Sequence, residues 1–188
     1  MRRREWSPVL GLLLLCAGLV PPAAAQEYAV AEVSAGYARA GHPLGAYVSA
    51  GWRPARRVVF VGEGTVAHEN THPDRYTRTE FLGWTALGGV RLMPSPPARV
   101  DPFLQVLVGV GGIDHRVRSD ESAPFFPSLD IRVRTTGFTF QYGLGLTWWI
   151  QPRVGAQLGA SYRRLFWLDG KEQLALHFGV AFGLGPRR

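Results

Sequence analysis

From Gly137 to Ile150 the sequence reads GFTFQYGLGLTWWI. Its even positions, Phe138, Phe140, Tyr142, Leu144, Leu146, Trp148 and Ile150, are all large and apolar, and its odd positions are mostly Gly, Thr and Gln. A period of two specifies a strand with unlike faces, because successive side chains point to opposite sides. Arg153 to Tyr162 repeats it, with Val154, Ala156, Leu158, Ala160 and Tyr162 set against Gly155, Gln157, Gly159 and Ser161. Gln173 to Leu184 repeats it again, with Leu174, Leu176, Phe178, Val180, Phe182 and Leu184 set against Ala175, His177, Gly179, Ala181 and Gly183. Tyr28 to Arg39, Leu44 to Arg53, Val58 to His68, Arg78 to Leu92 and Phe103 to Ile113 follow less cleanly. The expectation is eight strands and no helix.

The second face decides which kind of sheet this is. A soluble sheet buries its apolar face and wets the other with Lys, Glu and Asp. Here the second face is Gly, Ala, Ser, Thr and Gln, and Lys occurs once, at Lys171. Small residues suit the crowded interior of a narrow closed barrel, which leaves the Phe, Leu, Val and Trp face for hydrocarbon. Closure also pairs every backbone N–H and C=O, as a bilayer requires. The links Pro54-Ala55-Arg56, Pro94 to Asp101 and Gln151-Pro152-Arg153 are short or proline-rich, whereas His68 to Thr77 and Asp114 to Thr136 are longer and polar. That alternation fits an all-β, eight-stranded antiparallel up-and-down transmembrane barrel with both termini at the plain end. Trp148 and Trp149, and Tyr162, Phe166 and Trp167, lie near opposite strand ends, with Trp52 and Tyr76 also near ends, as interfacial girdles would. The competing reading is a soluble lipocalin-like barrel with core aromatics.

The N-terminus gives the compartment. Arg2, Arg3 and Arg4 precede an apolar run from Val9 to Val20, and Ala23-Ala24-Ala25 ends it. This is the pattern of a secretory signal over residues 1–25, leaving 26–188 as the barrel domain. The run is shorter than the roughly 20 residues of a spanning helix. Cys16 follows Leu15 rather than the small residue of a lipoprotein signal, and it is the sole cysteine. The mature chain is thus expected to have neither disulfide nor thiol nucleophile. Loss of three Arg and one Glu lowers the formal charge from +7 to +5. For an exported protein that basic balance points to anionic lipid or lipopolysaccharide phosphate rather than nucleic acid.

The run FQYGLGLTWWIQPRVGAQLGASYR resembles the Gly-rich strand, short turn and Tyr-Arg strand near the end of small outer-membrane barrels of the OmpA/OmpX and opacity-protein, porin-like type. HFGVAFGL, His177 to Leu184, resembles the C-terminal signal read by the outer-membrane assembly machinery, although Gly185-Pro186-Arg187-Arg188 follows where such signals close on an aromatic residue. The resemblance implies an isolated outer-membrane barrel without a peptidoglycan-binding domain.

Strand parity points Glu32, Arg53, Glu63, Arg91, Arg163 and His177 inward. Buried charges need partners, so some are expected to form ion pairs that plug the lumen, with Glu32, Arg53 and Arg91 near the periplasmic end. A small porin-like channel is the alternative use of that interior. Between Asp114 and Thr136, His115-Arg116-Val117-Arg118 and Ile131-Arg132-Val133-Arg134 are matching alternating strips. They predict a hairpin with Arg116, Arg118, Arg132 and Arg134 on one side and Phe125 and Phe126 at the tip, able to bind lipopolysaccharide or another anionic partner. Which extracellular partner that is stays open at this point.

His68-Glu69-Asn70-Thr71-His72 matches the H-E-x-x-H zinc-protease pattern, which works only on a helix. Flanking strand patterns and Pro73 favour a polar loop, so no metal is expected. The lipid A deacylase family resembles this chain in size. Its His-x-Ser dyad is missing at Ala160-Ser161-Tyr162-Arg163-Arg164, and neither catalysis nor a cofactor is expected. The role expected is structural or adhesive.

Overall fold

A computed structural model describes residues 30–40, 44–72, 77–94, 99–119, 130–166 and 171–184. The eight strands are β1 (Ala31–Ala40), β2 (Leu44–Ala55), β3 (Val58–Thr71), β4 (Thr77–Leu92), β5 (Val100–Ser119), β6 (Asp130–Gln151), β7 (Val154–Leu165) and β8 (Lys171–Leu184). Each pairs antiparallel with its neighbours in sequence, and β1 pairs with β8, so the sheet is a closed barrel. The expected signal segment and the residues Phe125, Phe126, Tyr76 and Trp167 lie outside the described residues.

The alternation of GFTFQYGLGLTWWI becomes an apolar outer wall. Phe138, Tyr142, Leu144, Leu146, Trp148 and Ile150 are exposed, as are Leu174, Leu176, Phe178, Val180, Phe182 and Leu184 on β8. Phe178 is 55% exposed and Leu174 63%. A continuous apolar belt on that scale is untenable in water and suits hydrocarbon. The register makes belt residues neighbours, and Tyr37 packs on Phe178 with ring centroids 5.6 Å apart.

The interior corrects the expectation of a uniformly small, polar face. Val59, Val61, Leu87, Phe103 and Leu107 point inward from β3, β4 and β5 and form an apolar cluster with Met93. The small residues sit opposite, on β6 and β7. A Cβ on Gly145 would collide with the Phe103 ring, and one on Gly159 with the His177 ring. A narrow barrel fills its cross-section by setting large side chains against glycine.

The polar segments read as long connections are partly strand. β5 runs on to Ser119 and β6 begins at Asp130, paired from Gly112↔Thr136 through Arg118↔Asp130. Likewise β3 and β4 continue to Thr71↔Thr79. Strands β3 to β6 thus carry a sheet past the end of β2, whose pairing with β3 stops at Gly45↔Ala67.

Filling the glycine gap gives a direct test. Gly159→Val should destabilise the folded barrel by about 1–3 kcal/mol through overpacking, and His177→Ala should restore part of the loss. Urea unfolding of the detergent-folded protein, followed by gel mobility, checks both.

Candidate functional site

The lumen joins its charges through two amides. Arg91 on β4 donates from Nη1 to Glu32 on β1, and Arg53 Nη2 lies 3.6 Å from the other oxygen of Glu32. Arg91 also donates from Nε and Nη2 to Gln105 Oε1, at 3.2 and 3.1 Å. Gln105 Nε2 donates to Glu63 Oε2 at 3.4 Å, and Gln141 Nε2 donates to Glu63 Oε1 at 3.0 Å. Arg163 Nε donates to Gln141 Oε1 at 2.9 Å, with Nη2 3.9 Å from Glu63. The result is one chain from Arg53 to Arg163 across the interior.

Each link follows from parity and register. All seven side chains are buried and occupy inward positions of β1 to β7. Arg91, 2% exposed, also lies over the Phe103 ring at 4.2 Å, so the apolar cluster carries the flat face of the guanidinium. Sequence reasoning missed Gln105 and Gln141, although both stand at inward positions and a buried amide can donate and accept at once. His177 points inward too, but it packs edge-on against Tyr47 at 5.3 Å and makes no salt bridge among the described residues. Tyr47 Oη in turn donates to Gln157 Oε1 at 3.2 Å.

The second cluster lies on the outer wall of the extended sheet. Arg116, Arg118, Arg132 and Arg134 share the parity of the exposed Val108, Val110 and Phe138, so they continue the lipid-facing side beyond the belt. Register sets Arg116 directly opposite Arg132, a repulsive placement. Two aspartates relieve it. Arg116 donates from Nε to Asp130 Oδ1 at 2.8 Å and from Nη2 to Oδ2, and Arg132 donates from Nε to Asp114 Oδ1 at 2.9 Å and from Nη2 to Oδ2. Arg118 Nε lies 3.8 Å from Asp130. The four arginines are thus not a bare basic strip, and the reason was legible: Asp114-His115-Arg116-Val117-Arg118 and Asp130-Ile131-Arg132-Val133-Arg134 are the same motif facing itself.

These pairs set the titration of the hairpin. The hydrogen bonds from Arg132 and Arg116 hold Asp114 and Asp130 below the ordinary carboxylate value of 3.8, and the same bonds raise both arginines. On neighbouring β4, Arg78 Nε lies 3.1 Å from Glu80 on the same outer side. Glu80, Leu82, Asp114, Arg116 and Arg132, with His68 of β3, line a shallow groove there. His68 lies on a strand with Glu69 on the opposite face, so the helical arrangement of a zinc protease is not formed. Ser161 is buried in the lumen, and its hydroxyl has no hydrogen-bond partner among the described residues.

No protein-family profile matches the sequence, and no curated protein sequence does. Solved structures do match. The attachment invasion locus protein Ail of Yersinia pestis aligns over 84% of this chain and 99% of its own, at 15% identity and a TM-score of 0.63. Neisserial surface protein A, NspA, aligns over 82% and 96%, at 17% identity and a TM-score of 0.55. The N-terminal β-barrel domain of Pseudomonas aeruginosa OprF covers 85% and 99%, at 15% identity and a TM-score of 0.50. This chain has the fold of the small outer-membrane barrels. Its apolar belt and closed hydrogen-bond ladder are those of a protein that sits in a membrane.

Two measurements probe the clusters. Glu32→Ala leaves Arg91 and Arg53 facing one another in the interior and should cost about 3–5 kcal/mol of barrel stability, read by urea unfolding in detergent. Because their folded pKa values are depressed, Asp114 and Asp130 should stay ionised and paired above 3.8 and lose their pairs only as the pH falls below it. Carboxyl NMR titration should show this, and Arg116→Gln/Arg132→Gln should return both aspartates towards the ordinary value.

Proposed function

We propose that the protein is a non-enzymatic outer-membrane barrel that holds an arginine-bearing sheet at the cell surface to bind anionic groups. The observation that carries this reading is the outer wall of β4 to β6. Arg78, Arg116, Arg118, Arg132 and Arg134 stand there against Glu80, Asp114 and Asp130, leaving a net positive surface beyond the belt. In outer-membrane barrels the longer connections face outside. Arg118 and Arg134, at the flanks of the bidentate pairs, are the residues placed to receive a ligand, and a guanidinium fork matches phosphate or sulfate oxygens. Ail, one of several fold neighbours, has been solved in complex with the heparin analogue sucrose octasulfate. That supports a polyanion as ligand class, with lipopolysaccharide phosphate as the source the membrane itself supplies.

Within this reading the lumen is a plug. Eight strands enclose a width that side chains fill, and the chain from Arg53 to Arg163 fills it. HFGVAFGL forms the end of β8 that closes onto β1, which fits recognition by the assembly machinery as the last strand is inserted. Residues 1–25 serve, in this proposal, as the export signal removed beforehand.

The test uses folded protein in detergent. Binding to immobilised heparin and to purified lipopolysaccharide should fall about tenfold or more in Arg118→Gln/Arg134→Gln, with the heat-dependent gel shift unchanged, since each phosphate contact is worth on the order of 1 kcal/mol or more. Binding unaffected by that pair would refute the surface role. Steady conductance of the wild type in planar bilayers would replace the plug with a pore.

A further inference from the structure

The chain of buried charges ends in a cation that is only partly used. Arg53, Arg91 and Arg163 face Glu32 and Glu63, so the network holds one cation more than it holds carboxylates. The amides carry part of that excess, and the rest falls on Arg163. Glu32 is taken by Arg91 and Arg53, and both oxygens of Glu63 already accept from Gln105 and Gln141, with Arg163 Nη2 left 3.9 Å away. Arg163 is 5% exposed, yet only its Nε makes a hydrogen bond, to Gln141, among the described residues. Register sets Gln173 of β8 directly opposite Arg163 with the same inward parity, and the Gln173 amide has no partner among the described residues either.

These two side chains line a cavity of about 70 Å³ at the end of the lumen away from Glu32, with room for several waters. Its other walls offer little to a polar group. Phe81, Ile113, Leu165 and Ala175 are apolar, and the hydroxyls of Thr65 and Thr85 bond to each other at 2.6 Å. Beyond the cavity the inward parity of the extended sheet continues the apolar wall through Val117, Ile131 and Val133, the last two 47% and 48% exposed. The belt is thereby inverted, because past the membrane the charged face is the outer one and the apolar face overlooks the mouth of the lumen. Glu69, level with Phe81 in the register, puts an acidic group at the rim, so an anion is held at the floor and not there. An apolar cup with a few polar groups converging at its floor is the form of a small-molecule site.

We propose that this cup binds a monocarboxylate with an apolar body, its two oxygens taking the open donors of Arg163 and Gln173. A single negative charge matches the single excess cation. A phosphate dianion would exceed it and would bring more charge out of water than the site can pair. The bond to a buried guanidinium is charge-assisted, and the apolar body lies against Phe81, Ile113 and the sheet above. The cup is separate from the outer-wall arginines, which stand on the opposite face of the same sheet. The proposal takes from the outer-membrane reading only the side to which the cup opens.

The experiment titrates carboxyl-labelled octanoate and phenylbutyrate into the folded barrel in phosphatidylcholine nanodiscs, with empty nanodiscs subtracted, and follows the ligand carboxyl and the Arg163 side chain by NMR. Octanoate or phenylbutyrate should saturate one site and shift the Arg163 signal, whereas octylamine should not. The tighter of the two carboxylates tells a fatty acid from a soluble aromatic acid as the source. Arg163→Gln should weaken binding roughly tenfold or more through loss of the charge-assisted pair, and Arg163→Lys should recover part of it. Should Arg163→Gln fail to fold, Ala38→Phe must weaken binding instead, since Ala38 lines the cup and pairs with Gly45 and His177 rather than with the charge chain. Arg118→Gln/Arg134→Gln should leave binding unchanged. Carboxylate uptake no greater than that of empty nanodiscs, equal uptake of octylamine, indifference to both Arg163→Gln and Ala38→Phe, or loss in the Arg118/Arg134 variant overturns the proposal. A chain that stays soluble and folded without detergent would remove the outer-membrane reading, while the same titration, run in buffer, still decides the cup.

Discussion

The structure depends on the closure of one hydrogen-bond ladder. β1 pairs with β8 from Ala31↔Leu184 to Ala40↔Ala175, so the sheet has no edge within the belt. In hydrocarbon an unpaired peptide group costs several kcal/mol, and closure removes that cost for all eight strands together. It also inverts the usual distribution of side chains. The apolar face turns outward because the solvent there is lipid, and whatever is polar must be accommodated inside a width fixed by eight strands. The composition of the inner face follows from that width: Gly145 and Gly159 exist because Phe103 and His177 cross the space in front of them.

Enclosure then governs the charges. Arg53, Arg91 and Arg163 outnumber Glu32 and Glu63 in the interior chain, and a guanidinium cannot shed its proton to escape burial. The excess is spread through amides. Gln105 accepts from Arg91 while donating to Glu63, and Gln141 accepts from Arg163 while donating to the same carboxylate. A row of alternating donors and acceptors satisfies more partners than isolated ion pairs would, which is how two carboxylates serve three cations in a low-dielectric space. The same row spans the lumen side to side, so in the proposed reading a single network provides both the pairing of the buried charges and the plug.

Most of the architecture was legible because lipid-facing strands hold to a period of two through the apolar belt. The strand number, the antiparallel order and the inward parity of Glu32, Arg53, Glu63, Arg91, Arg163 and His177 all follow from that rule. Two things did not. Parity says which way a side chain points, not what stands opposite, so the apolar cluster around Phe103 and the glycine gaps facing it became visible only with the register. The regular strands were also ended early, at Ile113 and Gly137, although the alternating strips beyond them predict the hairpin. Beyond the belt the outer face changes from Val and Phe to Asp and Arg, so the apolar alternation that marks a strand fades while the backbone pairing continues through Arg118↔Asp130. There the alternation is one of charge, and Asp114 and Asp130 carry it as much as the arginines do.

The extended sheet poses the problem that the barrel solves by closure, since β6 pairs with β7 only from Thr139↔Leu165, Phe138 O accepts from Phe166 N at 3.2 Å, and the segment from Asp130 to Gly137 is left as an edge among the described residues. Arg132 and Arg134 stand on that edge, where charged side chains discourage a second chain from pairing. Arg132 is at the same time bound through both ends of its fork to Asp114 on the neighbouring strand. Lysine in its place would supply the charge but only a single mobile contact. The near-exclusive use of arginine among the cations therefore has a physical basis wherever this structure reveals one. In the lumen the fork bridges a carboxylate and an amide, and on the hairpin it locks two strands in register.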